Sequence, residues 1–201
     1  MQVVQVIELD KKRVRVVLDN GREFPLYRGE GKKYSLAEGV ELSKEQYEEI
    51  HNEILVKRAR KRAMHLLERM DRAEAQLRAK LQQGFYPEDI IEDAISYVKG
   101  FHYLDDARYA WNYVQNQNGK KSRGRIRLEL LGKGICKDTV AQALEEGYGQ
   151  GQEQELILKW AKKRNYSGKT ADLKEKQKMY QFLLRKGFQS DDILHVLDYL
   201  T

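Results

Sequence analysis

The segment Leu131-Gly-Lys-Gly134-Ile-Cys-Lys-Asp-Thr-Val140 decides the fold, because altered copies of it occur twice more along the chain. The copies are Leu81-Gln-Gln-Gly84-Phe-Tyr-Pro-Glu-Asp-Ile90 and Leu184-Arg-Lys-Gly187-Phe-Gln-Ser-Asp-Asp-Ile193, and the three glycines stand 50 and 53 residues apart. In each copy a leucine stands three positions before the glycine, a large apolar residue one after, and Ile or Val six after. Several matched offsets in three copies indicate an internal repeat.

Each copy is typical of a helix that ends at a glycine, a short turn and a second helix. We expect Gly84, Gly134 and Gly187 to hold positive φ, since glycine adopts the left-handed C-cap conformation at no steric cost. The apolar residue after each glycine should pack on the preceding helical turn.

A further helix is predicted upstream of each joint, around Met64–Leu67, Ala107–Val114 and Leu156–Trp160. The unit is therefore three helices in about 50 residues, which buries little core alone and is stabilised by stacking on its neighbours. The predicted fold class is mainly α, with three tandem three-helix repeats forming an elongated, curved array.

The first forty residues have a different pattern. Apolar residues alternate with polar ones from Arg13 to Leu18, and Asn20-Gly21 follows as a hairpin signal. The next run contains Pro25, which cannot donate to a strand ladder and belongs on an edge. A small N-terminal β-meander is predicted, and Ser43 with Gln46 forms a capping box that opens the helical part.

These patterns divide the chain into four parts. Residues 1–42 form the N-terminal strand region, and residues 43–104 hold a linker helix and the first repeat. Residues 105–151 and 152–201 form the second and third repeats.

The composition excludes several classes of protein. The 201 residues contain 37 Lys and Arg and 31 Asp and Glu, so the net charge is +6. The single cysteine, Cys136, cannot form an intramolecular disulfide, which favours a reducing compartment. The chain begins without a secretory signal, and no apolar run is long enough to span a bilayer. We predict a monomeric cytoplasmic protein without a membrane partner.

The charge is concentrated in three segments that recur with the repeat. Residues 57–80, 119–137 and 159–186 carry +6, +6 and +8, so the rest of the chain carries −14. In the second segment the bases stand at the start of a helix, against the helix dipole, which indicates an acidic or anionic partner. The predicted partner-binding residues are these basic side chains: Lys120, Lys121, Arg123, Arg125 and Arg127 first, Lys162, Lys163 and Arg164 second, and Arg58, Arg60 and Lys61 third.

Catalytic patterns are missing from the sequence. His51, His65, His102 and His195 show no metal-ligand spacing with one another or with Cys136. There is also no phosphate-binding glycine loop and no nucleophile elbow. We therefore predict no catalytic residues, no cofactor, no metal and no enzymatic activity.

Four aromatic residues bear on a nucleic-acid alternative, in which basic helices contact phosphates and rings stack on bases. Tyr109, Trp111, Tyr113 and Trp160 fall among apolar helical residues, so a core position is expected for them. Two alternatives stay open beside the function given below: a protein that binds nucleic acid directly, and a helical-repeat adaptor for an acidic protein.

Residues 103–140 resemble the RecX family, bacterial regulators of the RecA recombinase. The family pattern is an Asp-Asp motif with a following Arg and aromatic residue, then a basic helix that ends at Lys-Gly-Ile. The matching residues are Leu104, Asp105, Asp106, Arg108, Tyr109, Arg125, Ile126, Glu129, Leu130, Lys133, Gly134 and Ile135. The tandem units over residues 57–201 also match the family's architecture.

The resemblance implies a role in DNA recombination, DNA repair and the SOS response. A protein of this family is expected to bind the RecA–DNA filament and to inhibit its ATPase, strand-exchange and coprotease activities. RecA is the expected partner, and a direct contact with single- or double-stranded DNA would be electrostatic and steeply dependent on salt.

Overall fold

The computed structural model describes residues 1–168 and 170–200, and the chain forms two compact units, Met1–Asp105 and Asp106–Thr201. The first unit contains a small sheet and the first helical repeat. The second unit contains the second and third repeats.

The N-terminal sheet has three antiparallel strands in the order β1 (Val3–Glu8), β2 (Arg13–Leu18) and β3 (Glu23–Tyr27). The predicted alternation is confirmed, because Val14, Val16 and Leu18 of β2 are buried on one face. Pro25 lies on β3, an edge strand, as predicted. The strands thus form the predicted meander.

The short helix α1 (Arg28–Lys33) follows β3 and was not predicted. Its sequence contains Gly29 and Gly31, which lower the helix propensity by about 1 kcal/mol each. Contacts outside the helix hold Glu30, whose carboxylate accepts a hydrogen bond from the Tyr27 amide at 2.8 Å and pairs with Arg58. These contacts explain why a helix forms where the local signal is weak.

Three consecutive helical segments lead into the first repeat: α2 (Lys44–Glu49), a π-helical segment (Ile50–Val56) and α3 (Lys57–Arg69). The capping box is confirmed, since the Gln46 amide donates to Ser43 Oγ at 3.2 Å and the Ser43 amide donates to Gln46 Oε1 at 3.1 Å. Helices α4 (Glu74–Gln82) and α5 (Glu88–Gly100) complete the repeat, and α3 packs against both.

The second unit contains six helices among its described residues, three in each repeat. They are α6 (Asp106–Gln117), α7 (Arg123–Gly132), α8 (Lys137–Gly147), α9 (Gln152–Lys163), α10 (Leu173–Arg185) and α11 (Ser190–Tyr199). In every repeat the first helix packs on the third, and the second helix also packs on the third. The prediction of a mainly α protein with three three-helix repeats and a small N-terminal sheet is confirmed.

The core of the first unit is continuous between the sheet and the first repeat. Phe24 of β3, Ile50, Leu77 and Ile90 are all fully buried in the same cluster. The third repeat has a core of its own, to which α9, α10 and α11 all contribute. The sheet is therefore packed onto the first repeat and is not a loose extension.

The joints confirm two of the three glycine predictions. Gly134 and Gly187 have φ of +87° and +88°, whereas the residue with positive φ in the first joint is Phe85 at +63°, so the prediction for Gly84 is wrong. Each joint is closed by an amide that donates to a carbonyl five residues earlier, and these pairs are Tyr86 to Leu81, Ile135 to Leu130 and Phe188 to Leu183.

The equivalent left-handed positions are thus Phe85, Gly134 and Gly187. Matching glycine to glycine placed the first copy one residue out of register. In all three joints the left-handed residue stands at the same spacing after the last buried leucine of the helix. These leucines are Leu81, Leu130 and Leu183, and each is fully buried.

Candidate partner-binding surface

The basic helix α7 begins against the joint of the third repeat. Ser122 is its N-cap and is 2% exposed. The Ser122 Oγ accepts a hydrogen bond from the Arg125 amide at 3.1 Å and donates one to the Lys186 carbonyl at 2.7 Å. One buried hydroxyl therefore caps α7 and ties it to the end of α10.

Two glycines allow the backbones to meet at this place. A Cβ atom on Gly124 would lie 2.3 Å from the Gly187 carbonyl oxygen. A Cβ atom on Gly187 would lie 2.8 Å from the Arg125 amide nitrogen and 2.9 Å from Ser122 Oγ. Since real Cβ atoms do not approach so closely, the contact between the second and third repeats requires glycine at both positions.

Helix α9 of the third repeat also holds the start of α7. The Glu153 carboxylate accepts a hydrogen bond from the Arg123 amide at 2.5 Å, and Gln152 Oε1 accepts one from the Gly119 amide at 2.9 Å. The carboxylate lies where the helix dipole favours a negative charge. It offsets part of the unfavourable interaction between the helix dipole and the basic residues at this N-terminus.

An open cleft of about 540 Å³ lies at this contact, and we call it the junction cleft. Five of its lining residues are cationic and one is a carboxylate, and Trp160 and Phe188 supply aromatic surface. The charged residues are Lys120, Lys121, Arg125, Arg185, Lys186 and Glu129.

Glu129 organises two of the cations. Its carboxylate accepts hydrogen bonds from Tyr113 Oη at 2.6 Å, Lys121 Nζ at 2.7 Å and Arg125 Nε at 2.9 Å. Partial burial alone would raise the pKa of Glu129, but the hydrogen bonds outweigh it and hold the pKa at about 2. Burial and the hydrogen bond to this carboxylate raise the pKa of Tyr113 to about 12.

The structure separates the first set of predicted binding residues. Lys120, Lys121 and Arg125 line the junction cleft. Arg123 instead pairs with Glu145 at 2.8 Å, and Arg127 is exposed and forms no ion pair with a described residue. The basic stretch is therefore divided between the cleft and the surface beside it.

The second set lies beside the cleft, at the end of α9. Trp160 and Phe182 meet edge to face at 5.5 Å, and three cations lie over these two rings. Lys163 is 5.2 Å from the Trp160 ring centre and Arg164 is 3.9 Å from that of Phe182. The third cation, Lys186, lies over both rings at 4.7 and 5.6 Å, and Lys162 is exposed.

In the third set, two of three residues are engaged within the first unit. Arg58 pairs with Glu30, and its guanidinium lies 4.5 Å from the ring centre of Tyr27. Arg60 forms a bidentate pair with Asp93 at 2.6 and 2.7 Å. Lys61 is exposed and forms no ion pair with a described residue. Arg58 and Arg60 thus stabilise the first unit through paired contacts.

The expectation of a core position for the aromatic residues is wrong for Trp111, which is 45% exposed. Tyr109 and Tyr113 are half-buried and stack at 6.4 Å, with Lys133 lying 5.9 and 5.3 Å from their ring centres. Trp160 is half-buried in the junction cleft. The apolar spacing along α6 could not distinguish a buried ring from one at the edge of the core.

Sequence reasoning did not select Arg185 and Lys186 as binding residues. Both stand in the third basic segment, but their place in the cleft depends on the approach of Gly187 to α7. The signal that could have found them is the repeat itself, since they directly precede the glycine of the third joint.

Within residues 1–168 and 170–200, no helix has the length and apolar character needed to cross a membrane. No group of His, Cys, Asp and Glu side chains there has an arrangement that could hold a metal ion.

Comparison with protein families gives three matches along the chain. Models described as the first, second and third three-helix domains of RecX match residues 59–97, 105–144 and 152–197. They cover all three helical repeats.

Individual proteins agree with these matches over nearly the full length. The regulatory protein RecX of Clostridium botulinum (strain Eklund 17B / Type B) is 30% identical over 196 residues, which cover 96% of this chain and 92% of that protein. That of Clostridioides difficile (strain 630) is 31% identical and covers 100% of this chain and 96% of its own. A crystal structure of regulatory protein RecX superposes with a TM-score of 0.65 at 25% identity and covers 98% of both chains.

Proposed function

The chain belongs to the RecX family of regulatory proteins, and we propose that it is a non-catalytic regulator that binds the RecA–DNA filament and inhibits it. The inhibited activities are the ATPase, strand exchange and coprotease cleavage. The observation that carries this proposal is the junction cleft, where cations of two repeats are held together by a backbone contact.

The chemistry of the cleft fits a partner with clustered negative charge. Lys121 and Arg125 are held in place by Glu129, so little side-chain entropy is lost when they bind. Lys120 and Arg185 form no ion pair with a described residue, and their charges are available to a carboxylate or a phosphate. The cleft therefore contains two cations fixed by Glu129 and two that form no ion pair with a described residue, next to the rings of Trp160 and Phe188.

A polymer is a suitable partner for a chain with repeated basic segments. Each contact with a repeating filament raises the effective concentration of the next one, so several weak contacts give a strong overall binding. Lys162, Lys163 and Arg164 beside the cleft, and Lys61 in the first unit, are the further contacts in this proposal.

The test is the DNA-dependent ATPase of RecA, measured at low salt while the protein is titrated. Lys120→Glu/Arg185→Glu reverses two cations of the cleft that form no ion pair with a described residue, and it removes no ligand of Glu129. We expect the concentration for half-maximal inhibition to rise at least about tenfold, which corresponds to about 1.4 kcal/mol of binding.

The matched control is Lys137→Glu/Lys178→Glu, which makes the same charge change at two exposed lysines outside the cleft. When the titration is repeated at about 0.1 M salt, where exposed charges more than about 10 Å apart are largely screened, it should inhibit within about twofold of the unaltered protein. Equal losses in the two variants would show a general charge effect and overturn the role of the cleft. No inhibition by the unaltered protein at saturation would overturn the proposed function.

Direct binding of nucleic acid is the second candidate, and the half-buried Trp160 ring in the cleft favours it, because bases stack on such rings. Gel shifts with and without RecA separate the two candidates. Tight binding through the cleft without RecA would favour this alternative, and binding to an acidic protein in the absence of both would favour a helical-repeat adaptor.

A further inference from the structure

The first unit contains a second basic recess, which joins cations of the basic segment 57–80 to Lys12 and Arg13 of the N-terminal sheet region. It is an open groove of about 780 Å³ between β2 and β3, helix α3 and the turn from α4 to α5, and we call it the N-terminal groove. Its lining contains six Lys and Arg side chains and a single carboxylate, Asp10. The cations are Lys12, Arg13, Arg58, Lys61, Arg62 and Lys80.

The carboxylate is already used within its own turn. Asp10 Oδ1 accepts hydrogen bonds from the amides of Lys12 at 2.8 Å and Arg13 at 2.9 Å, and Asp10 Oδ2 pairs with Arg13 Nε at 2.7 Å. The Lys12 amide and the Arg13 side chain are the main reasons that the pKa of Asp10 lies below its usual value. Asp10 therefore neutralises Arg13, and Arg58 is paired with Glu30, so four of the six cations remain without a carboxylate partner among the described residues.

Four cations of the groove are available to a ligand. Lys12, Lys61 and Arg62 are exposed and form no ion pair with a described residue. Lys80 donates only to the neutral Gln83 Oε1, at 3.0 Å. Four unpaired cations in one recess repel one another, and a polyanion would relieve that cost.

Two tyrosines give the groove aromatic surface. Tyr27 is 46% exposed, and one side of its ring carries the guanidinium of Arg58. Tyr86 is half-buried, its burial raises the pKa of its hydroxyl, and that hydroxyl has no hydrogen-bond partner among the described residues. A neutral phenol can donate to a phosphate oxygen, and an exposed ring can stack on a base.

We propose that the N-terminal groove binds the phosphodiester backbone of single-stranded DNA, with Lys12, Lys61, Arg62 and Lys80 on phosphates and Tyr27 stacked on a base. Exposed tyrosine among cations favours a nucleic acid over an acidic protein segment, because a carboxylate-rich peptide gains nothing from the ring. Walls on three sides favour a flexible single strand over duplex DNA, whose persistence length of about 50 nm keeps it straight.

This inference goes beyond the proposed function, because binding to the groove needs no RecA and only Lys61 is shared between the two proposals. The groove would allow the protein to bind single-stranded DNA directly. The affinity should fall steeply with salt, as it does wherever lysine and arginine displace counterions from phosphates.

The experiment measures binding of the full-length protein to a fluorescein-labelled thymidine oligonucleotide by fluorescence anisotropy, without RecA, over a range of salt concentrations. Lys61→Glu/Arg62→Glu reverses two groove cations on the exposed side of α3. We expect at least about tenfold weaker binding, and a slope of log K against log salt that is smaller by about 1.4, or about 0.7 for each lost phosphate contact.

The matched control is Lys57→Glu/Arg69→Glu, which makes the same charge change on the same helix outside the groove. It should bind within about twofold of the unaltered protein, since it removes no phosphate contact. A second pair of variants tests the ring: Tyr27→Ala should weaken binding by about fivefold or more, and Tyr27→Phe should restore it.

Three results would overturn the inference. They are equal losses in the groove variant and its control, stronger binding of duplex than of single-stranded DNA, and full displacement of the oligonucleotide by poly-glutamate at an equal concentration of charge. The last result would identify an acidic protein as the ligand. Loss of RecA inhibition by the cleft variant is measured separately, so either conclusion can fail while the other stands.

Discussion

The N-terminal groove and the junction cleft use the same part of the three-helix repeat with different neighbours. The groove is lined by Gln83, Gly84 and Tyr86 of the first joint. The cleft is lined by the equivalent residues of the third joint, which are Arg185, Lys186 and Phe188. In the first unit the joint meets the N-terminal sheet, and in the second unit it meets helix α7.

The residue at the left-handed position decides how closely a neighbour can approach. Phe85 occupies that position in the first joint, and the guanidinium of Arg15 on β2 lies 4.7 Å from its ring centre. Gly187 occupies it in the third joint, and the backbone of α7 lies where a side chain would stand. The same type of joint can therefore contact its neighbour through a side chain, as at Phe85, or directly through the backbone, as at Gly187.

The two surfaces also differ in charge at an equivalent position. The residue before the last buried leucine is Lys80 in the first repeat and Glu129 in the second. Glu129 fixes two cations of the junction cleft, whereas Lys80 adds a cation to the N-terminal groove. The cleft is thus a pre-organised site, and the groove is a surface of unpaired charge.

Among the substitutions at these joints, Gly187→Ala should lower the free energy of unfolding most, because it puts a side chain where the backbone of α7 lies. The left-handed backbone costs about 1–2 kcal/mol for alanine, and the overlap with the Arg125 amide adds about 1–3 kcal/mol. We expect the free energy of unfolding to fall by about 3 kcal/mol in urea denaturation.

The control for that substitution is Gly151→Ala, at φ of +76° with no atom near the added Cβ. It carries the backbone cost alone and should destabilise the protein by about 1–2 kcal/mol. Equal costs at the two glycines would show that the close approach of α7 contributes nothing.

Glu129 should give the second unit a stability that depends on pH. Because the folded-state pKa of about 2 lies below the ordinary glutamate value of 4.5, the contribution is complete above pH 4.5 and is lost as the pH falls towards 2. Between neutral pH and pH 3 this loss is about 2 kcal/mol.

Urea denaturation of the unaltered protein and of Glu129→Gln at both pH values measures that loss. The destabilisation caused by Glu129→Gln should be about 2 kcal/mol smaller at pH 3 than at pH 7. The same cost at both pH values would contradict the role of Glu129 as a partly buried, ionised acceptor for Lys121 and Arg125.

Ser122→Ala should have a smaller effect. It removes the N-cap of α7 and leaves the Lys186 carbonyl without its donor, for which we expect about 1–2 kcal/mol of destabilisation. Ser122→Thr retains the hydroxyl and should recover part of the stability in thermal denaturation. If Ser122→Ala leaves the melting temperature unchanged, the buried hydroxyl does not hold the two repeats together.

Phe85→Gly should change the stability least, and it tests whether the first joint depends on a side chain at the left-handed position. Glycine relieves the left-handed strain of about 1–2 kcal/mol, but the contact with Arg15 and part of the buried ring surface are lost. The two effects should nearly cancel, so that the free energy of unfolding changes by less than about 1 kcal/mol in urea denaturation. A loss comparable to that of Gly187→Ala would show that the first joint depends on its side chain.

Much of the fold could be predicted from the sequence, because its signals are local. Asn20-Gly21 and the alternation of β2 predicted the meander, and the glycine joints predicted the helical repeat. The register of the first joint was missed because Gly84 stands next to the true cap, Phe85. Helix α1 was missed because contacts of Glu30 with other parts of the unit stabilise it.

The candidate site was predictable only as a set of charged segments. Which cations are paired depends on contacts distant in sequence, such as Arg58 with Glu30 and Arg60 with Asp93. The cleft depends on the approach of Gly124 to Gly187, and no local pattern reports such a distance. Charge segregation therefore predicts an anionic partner, but only the fold brings Lys120 together with Arg185.

The most direct test of the central claim is cosedimentation with RecA filaments assembled on DNA with a non-hydrolysable ATP analogue, which measures binding apart from ATP hydrolysis. We expect the unaltered protein and Lys137→Glu/Lys178→Glu to pellet with the filaments. Lys120→Glu/Arg185→Glu should stay in the supernatant at the same concentrations. Equal pelleting of all three proteins would contradict binding through the junction cleft, and failure of the unaltered protein to pellet would contradict filament binding itself.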